Sequence, residues 1–354
     1  MGVNQAAGSG LVERGSSAMA REAAQAAAAA RRQIERCAGG FAELGERLRR
    51  RPPRFVVTCA RGSSDHAASY GKYLIETELG RVVASVGPSI ASVYQRRPLA
   101  LEECLFVTVS QSGQSPDLLR LTEAARAGGA LVVGFINDER APLTELCDVV
   151  LPLCAGAEIS VAATKSFLLS GLAFLQLVAH WSNDRALAAA VTELPDALEA
   201  ASQLDWWPAL APLSGTTNLY ALGRGTGLGA ALEIALKFKE MCRLHAEAFS
   251  TAEVVHGPLA LVDRGFPVIV VGQDDDSAAT TRSVVARLVA LGASVRSTLE
   301  VPGAERLPVL PAAPSAIAPL CQVQSFYMAV HRLAVARGLD PDVPAHVRKV
   351  TETL

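Results

Sequence analysis

The chain has 354 residues, half of them hydrophobic, which is enough for two domains with buried cores and excludes both a disordered chain and a small disulfide-stapled fold. With 33 basic against 35 acidic residues, it offers no long-range attraction to nucleic acid or to an anionic membrane surface, so an anionic ligand has to be captured by a local site. Seven cysteines without a C-x-x-C pair read as reduced thiols, no apolar run reaches the ~18 residues of a membrane span, and no signal-peptide core opens the chain, so a cytoplasmic protein is expected.

The opening residues are small and polar, and Gly8-Ser9-Gly10-Leu11-Val12-Glu13-Arg14-Gly15-Ser16 resembles an expression-tag linker, so a disordered start is expected over 1–20. Alanine-rich, charge-studded sequence from 21 to 50 predicts one helix, stopped by Pro52-Pro53. Short apolar runs at 55–59, 105–109, 131–136 and 149–153 predict strands buried on both faces of a parallel sheet, with crossover helices between them. A second series at 218–222, 268–271, 294–299 and 307–310 predicts a second sheet. The divide falls between Trp181 and Pro212, giving one α/β unit over 21–200, another over 201–340 and a tail over 341–354.

The two units are related by duplication. Arg61-Gly62-Ser63 recurs as Arg224-Gly225-Thr226, Val107-Thr108-Val109 as Ile269-Val270-Val271, and Gly129-Ala130-Leu131-Val132 as Gly292-Ala293-Ser294-Val295. All three matches lie at essentially one offset. Chance explains any one of them, but a common offset for all three points to a repeated domain.

Ser110-Gln111-Ser112-Gly113-Gln114-Ser115-Pro116-Asp117 lies between a predicted strand and a predicted helix over 118–127. Such a turn presents backbone N–H groups and hydroxyls at the positive end of a helix, which suits a phosphate; the same residues also make an ordinary N-cap. At the matching place the second unit has Gly272-Gln273-Asp274-Asp275-Asp276, whose carboxylates would repel an anion, so a phosphate site is expected in the first unit alone. Arg61-Gly62-Ser63-Ser64, after the first strand, should supply further donors beside it.

In the second unit Glu233, Lys237 and Glu240 share one face of a helix predicted over 230–244. Spacing alone fits a solvated stripe as well as a site. A histidine turn follows, His256-Gly257-Pro258-Leu259. Carboxylates on a helix near a histidine offer a base and a proton shuttle.

Taken together, Ser110-Gln111-Ser112-Gly113, Leu236-Lys237-Phe238-Lys239-Glu240, His245-Ala246-Glu247-Ala248, His256-Gly257-Pro258-Leu259-Ala260 and Arg348-Lys349-Val350-Thr351 resemble the double sugar-isomerase (SIS) family. That family includes the isomerase half of glucosamine-6-phosphate synthase and the SIS-type glucosamine-6-phosphate deaminases, and the resemblance runs from about residue 22 to the C-terminus. It implies two tandem SIS domains, each a flavodoxin-like three-layer α/β/α unit. It also implies that Ser64, Ser110, Gln111, Ser112 and Ser115 hold the sugar phosphate, with Val161, Glu233 and Lys237 beside the sugar. Glu240 would move a proton between C1 and C2, and Lys349 would form an imine with the open-chain ketose. His256 would assist ring opening from a neighbouring subunit, which implies a homodimer.

Two departures bear on activity. Residue 2 is Gly and no glutaminase-like segment precedes the pair, so ammonia from glutamine is not expected. Ala163 stands where the family often has Ser, which leaves the sugar open. The resemblance therefore implies an aminosugar-phosphate isomerase/deaminase that converts glucosamine 6-phosphate to fructose 6-phosphate and ammonia. No metal or other cofactor is expected, since the six histidines show no zinc-type spacing. The competing readings are a galactosamine-phosphate deaminase, a fructosamine-phosphate deglycase and a non-catalytic sugar-phosphate sensor.

Overall fold

The computed structural model describes residues 17–95, 100–347 and 349. Two helices replace the single N-terminal helix expected, the short α1 (Ala18–Ala24) and the long α2 (Ala26–Arg50), with Gln25 as the joint. Order begins before residue 21, because Ser17 caps α1 by accepting from the N–H of Ala20 and Met19 is fully buried. The rest of the tag-like stretch, 1–16, lies outside the described residues.

The first unit continues through β1 (Phe55–Cys59), α3 (Ser63–Leu79), β2 (Val83–Ser85), α4 (Ser89–Ser92), β3 (Cys104–Ser110), α5 (Pro116–Ala127), β4 (Leu131–Ile136) and β5 (Val149–Pro152), then α6 (Lys165–Ser182) and α7 (Arg185–Ala201). The second contains α8 (Trp207–Leu210), β6 (Asn218–Gly223), α9 (Gly227–Cys242), β7 (His245–Ser250), β8 (Pro267–Val271), α10 (Ala278–Ala290), β9 (Ser294–Ser297), β10 (Glu305–Arg306) and α11 (Ala318–Ala336).

Both sheets are parallel and wound alike, β2-β1-β3-β4-β5 and β7-β6-β8-β9-β10. Duplication extends to register: Val56 pairs with Val83, and their counterparts Leu219 and Ala246 pair in the second sheet. The core strands read as continuous apolar runs because both faces are covered. Val56, Leu105, Val107, Leu219 and Ile269 face a core shared by the two units, while Val57, Phe106, Leu222 and Val270 face separate outer cores.

Two differences from the sequence expectation concern edges. The strand predicted at 307–310 is replaced by the two-residue β10, and Leu307 turns into the core while the carbonyl of Pro308 accepts from the Trp206 indole at 2.8 Å. The edge strands β2 and β7 carry no long apolar run, so their sequences did not announce them.

Across the seam, α3 packs on α9. Gly229 makes the close approach possible: a Cβ there would lie 2.8 Å from the backbone nitrogen of Tyr70 and 2.7 Å from the carbonyl oxygen of His66. No helix among the described residues is long and apolar enough to cross a membrane.

Candidate active site

The carboxyl ends of β1 and β3 carry the two donor turns expected. In the turn after β3, Ser110 Oγ accepts from the N–H of Gly113 at 2.9 Å. Gly113 has φ +61°, and a Cβ on it would lie 2.5 Å from Ala141 Cβ, so the bend requires glycine. Ser115 opens α5 without spending its hydroxyl as a cap. Arg61 braces the two turns, donating from Nε (3.0 Å) and Nη2 (2.8 Å) to the fully buried Asp117. Between them opens a cleft of about 300 Å³, onto which Ser64, Ser110, Gln111, Ser112 and Ser115 face.

Val161 and Ala163 line the opposite wall, in the segment that leads into α6. Its organiser is Glu158, whose side chain has no solvent exposure. The carboxylate accepts from the N–H groups of Thr164 (2.9 Å) and Ser166 (3.2 Å), from Ser166 Oγ (2.7 Å) and from Lys349 Nζ (3.3 Å). Lys349 donates a second bond, 2.6 Å, to the carbonyl of Ser160 and also faces the cleft. The tail is therefore anchored up to this point. Farther back, the Asp342 carboxylate accepts from the N–H groups of Ala18 (2.7 Å) and Met19 (2.8 Å), tying Asp342 to the start of α1. From α1, Glu22 caps the N–H groups of Ile159 and Ser160; burial and nearby Glu158 push its pKa up against those two N–H groups and Lys349. Arg348, Val350 and Thr351 of the tail motif lie outside the described residues.

The third wall is α9. Of its carboxylate–lysine face only Glu240 reaches the cleft, with a side chain 18% exposed. Glu233 and Lys237, expected beside the sugar, have side chains of zero exposure, and neither lines the cleft. They form a buried chain of charge behind it. Lys237 Nζ lies 2.5 Å from Glu240 Oε2 and 3.3 Å from Glu233 Oε1, and donates to Ser63 Oγ at 3.1 Å. Ser63 donates onward to Glu233 at 3.1 Å, as do His66 Nδ1 at 2.9 Å and the Tyr327 hydroxyl at 2.7 Å.

Burial opposes charge on Glu233, but Lys237, His66 and Tyr327 outweigh it and hold the carboxyl well below its usual range. Burial likewise opposes the charge on Lys237, and Glu233 and Glu240 outweigh it, raising the ammonium's pKa. Glu240 thus stands in the cleft with a permanent cation at its back.

His66, Tyr327 and Glu22 were not found in the sequence. His66 had a local signal, since it lies three residues after Ser63 on the same helix face. Tyr327 and Glu22 had none, because each meets the site only through packing of distant helices.

In the second unit the equivalent turn is closed on itself. The Gln273 amide donates to the Arg224 carbonyl (2.9 Å) and to Asp275 (2.8 Å), and Asp275 accepts from the N–H (2.8 Å) and hydroxyl (2.6 Å) of Ser277. His256 ends a short 3₁₀ turn, is exposed, and does not line the cleft of its own chain. Among the described residues no cluster of three or more His, Cys, Asp or Glu is arranged to hold a metal ion.

Comparison with known proteins places this arrangement. The SIS domain family matches residues 51–180 and 213–297. The glutamine–fructose-6-phosphate aminotransferase (isomerizing) of Symbiobacterium thermophilum is 35% identical over 319 residues, covering 84% of this chain and 51% of that protein. The chain therefore spans about half the length of the curated relatives it matches. A Silicibacter pomeroyi DSS-3 protein provisionally named a phosphosugar isomerase has a solved structure that is 42% identical, with a TM-score of 0.88 over 92% of this chain and 100% of that one. The glucosamine-6-phosphate deaminase of Thermotoga maritima, at 22% identity, shares the fold with a TM-score of 0.70 over 92% of this chain and 100% of that one. Since the family match covers both sheets except β10 and more than half of the sequence, the two units are tandem SIS domains and the chain belongs to the SIS-domain family.

Proposed function

We propose that this chain is an aminosugar-phosphate isomerase/deaminase that converts glucosamine 6-phosphate to fructose 6-phosphate and ammonia. One observation carries the reading: Glu240, from the second unit, and Lys349, from the tail, face a single cleft whose remaining wall is the hydroxyl-rich pair of turns in the first unit. A phosphate held by Ser64, Ser110, Gln111, Ser112 and Ser115 would anchor the far end of the sugar. The open chain would then lie between a carboxylate and an amine.

In this scheme His256 of a second copy assists ring opening, which makes the working unit a homodimer. Glu240 takes the proton from C2 of the open aldose and returns it at C1, leaving an imine at C2. The Lys349 amine attacks C2 and ammonia departs; water then breaks the C2–lysine bond and releases the ketose. The buried Lys237 holds the Glu240 carboxylate in position by donating to it, and Glu158 with the Ser160 carbonyl holds Lys349 in place.

Ala163 lines the cleft without a hydroxyl, so discrimination among epimers rests on the other polar groups. The test is ammonia release across glucosamine, galactosamine and fructosamine phosphates. Fastest turnover on glucosamine 6-phosphate is expected. Binding of the phosphates without turnover of any of them would overturn the reading in favour of a sensor.

A further inference from the structure

All seven cysteines are free, and two of them meet away from the cleft. Cys37, in the middle of α2, points its thiol at the carbonyl of Pro152, the last residue of β5, at 3.4 Å. Cys154, two residues beyond that strand, points its own at the same carbonyl at 3.6 Å. The two thiols thus share one acceptor, which brings both sulfurs to the same carbonyl oxygen.

Their surroundings differ. Cys37 is buried on the core side of α2, whereas Cys154 is half-buried in the turn after β5, with its backbone at φ +55°. Arg36, held at 2.7 and 2.6 Å by both oxygens of Glu139, places its positive charge near Cys154, and Arg32 donates to the Cys154 carbonyl at 3.3 Å. A sulfur beside a guanidinium, a neighbouring thiol donor and partial access are the conditions that make one thiol of a pair reactive.

We propose that Cys37 and Cys154 are a peroxide-sensitive dithiol site that closes to a disulfide between α2 and the turn after β5. The thiolate of Cys154 attacks one oxygen of hydrogen peroxide: an S–O bond forms, the O–O bond breaks, and Cys154 becomes a sulfenic acid while the departing hydroxide takes up, as water, the proton the thiol had released. The Cys37 sulfur then attacks the Cys154 sulfur; the S–S bond forms, the S–O bond breaks, and the departing hydroxide takes the Cys37 proton as water. The two thiols lose two electrons in total to one peroxide.

The electrostatics agree with these roles. The hydrogen bond from Cys37, then Arg36, lowers the Cys154 thiol to about 7 against its burial, and the same contact together with burial raises Cys37. Burial pushes the other thiols up, Cys104, Cys147, Cys242 and Cys321 to about 12. Cys147 is half-buried like Cys154, but no second thiol acts on it and burial outweighs the nearby Arg126, so it is the internal control.

Reduced protein titrated with hydrogen peroxide and mapped without reduction should yield a linked Cys37–Cys154 peptide pair before any other cysteine is modified. In Cys37→Ser the reaction should stop at a sulfenic acid on Cys154, trapped by dimedone. In Cys154→Ser, Cys37 should stay reduced. Should either variant not fold, the wild type still decides: iodoacetamide at neutral pH should alkylate Cys154 at least about tenfold faster than Cys147. Equal rates at the two cysteines, or over-oxidation of Cys154 in the wild type without the linked pair, would overturn the proposal.

Discussion

His66 on the first unit and Glu233 on the second meet at 2.9 Å inside the seam, with the Glu233 side chain fully buried. Because Glu233 also lies 3.3 Å from Lys237, which in turn lies 2.5 Å from Glu240, the charge behind the cleft depends on contacts made by both units. The seam is therefore part of the site, and its charges have measurable consequences for stability as well as for turnover.

The pH dependence of stability has a definite sign. The Glu233 carboxyl is depressed in the folded chain from 4.5 to about 2, so its contribution is fully present above pH 4.5 and disappears as the pH falls through about 2. Glu233→Gln should lower Tm relative to the wild type near neutrality, and the gap should narrow on acidification below 4.5. Differential scanning calorimetry across that range checks it; a gap that widens in acid contradicts the assignment.

Removing Lys237 leaves Glu233 partly paired in the seam and Glu240 without its cation. Lys237→Met should cost about 3–5 kcal/mol of stability, the usual penalty for breaking a buried ion pair from one side. In whatever folded protein remains, kcat should fall, since Glu240 loses the donor that positions it. Denaturant melts and steady-state kinetics read the two effects separately.

Glu240→Gln should retain sugar-phosphate binding and lose about 10²–10⁴-fold in kcat, the scale of general base catalysis. Exchange of solvent deuterium into the transferred position at the wild-type rate would exclude Glu240 as the proton carrier.

Placing a carboxylate in the donor turn tests the phosphate assignment. Ser112→Asp puts a like charge where a hydroxyl faces the cleft, so KM for a phosphorylated sugar should rise steeply while the fold, read by circular dichroism, stays intact. An unchanged KM would remove Ser112 from the anion site.

His256 is exposed on its own chain and Lys349 lines the cleft, so a site built from two copies should tolerate complementation. His256→Ala and Lys349→Ala, each inactive alone, should regain part of the activity after subunit exchange, because some hybrid sites receive both intact residues. Exchange confirmed by native mass spectrometry with no returning activity would place both residues in one chain or remove one from the chemistry.

Local pattern alone determined the two parallel sheets, their core strands and the duplication. Strands covered on both faces must be apolar throughout, and a repeated domain keeps its landmarks at a constant offset. The two donor turns were visible for the same reason: residues contiguous in sequence make them. The edge strands β2 and β7 were not, because a short strand with an exposed face carries no such run. Tertiary structure alone decided what the Glu233–Lys237–Glu240 face does, since that spacing is the same for a solvated stripe and for a buried relay. Gly229 lets α3 close over it, burying two of the three charges against His66 and Ser63 and leaving Glu240 in the cleft. The joining of Lys349 to Glu158, of Asp342 to α1 and of Tyr327 to Glu233 was equally beyond the sequence, because each pair is far apart in the chain and is brought together only by packing of helices through the shared core.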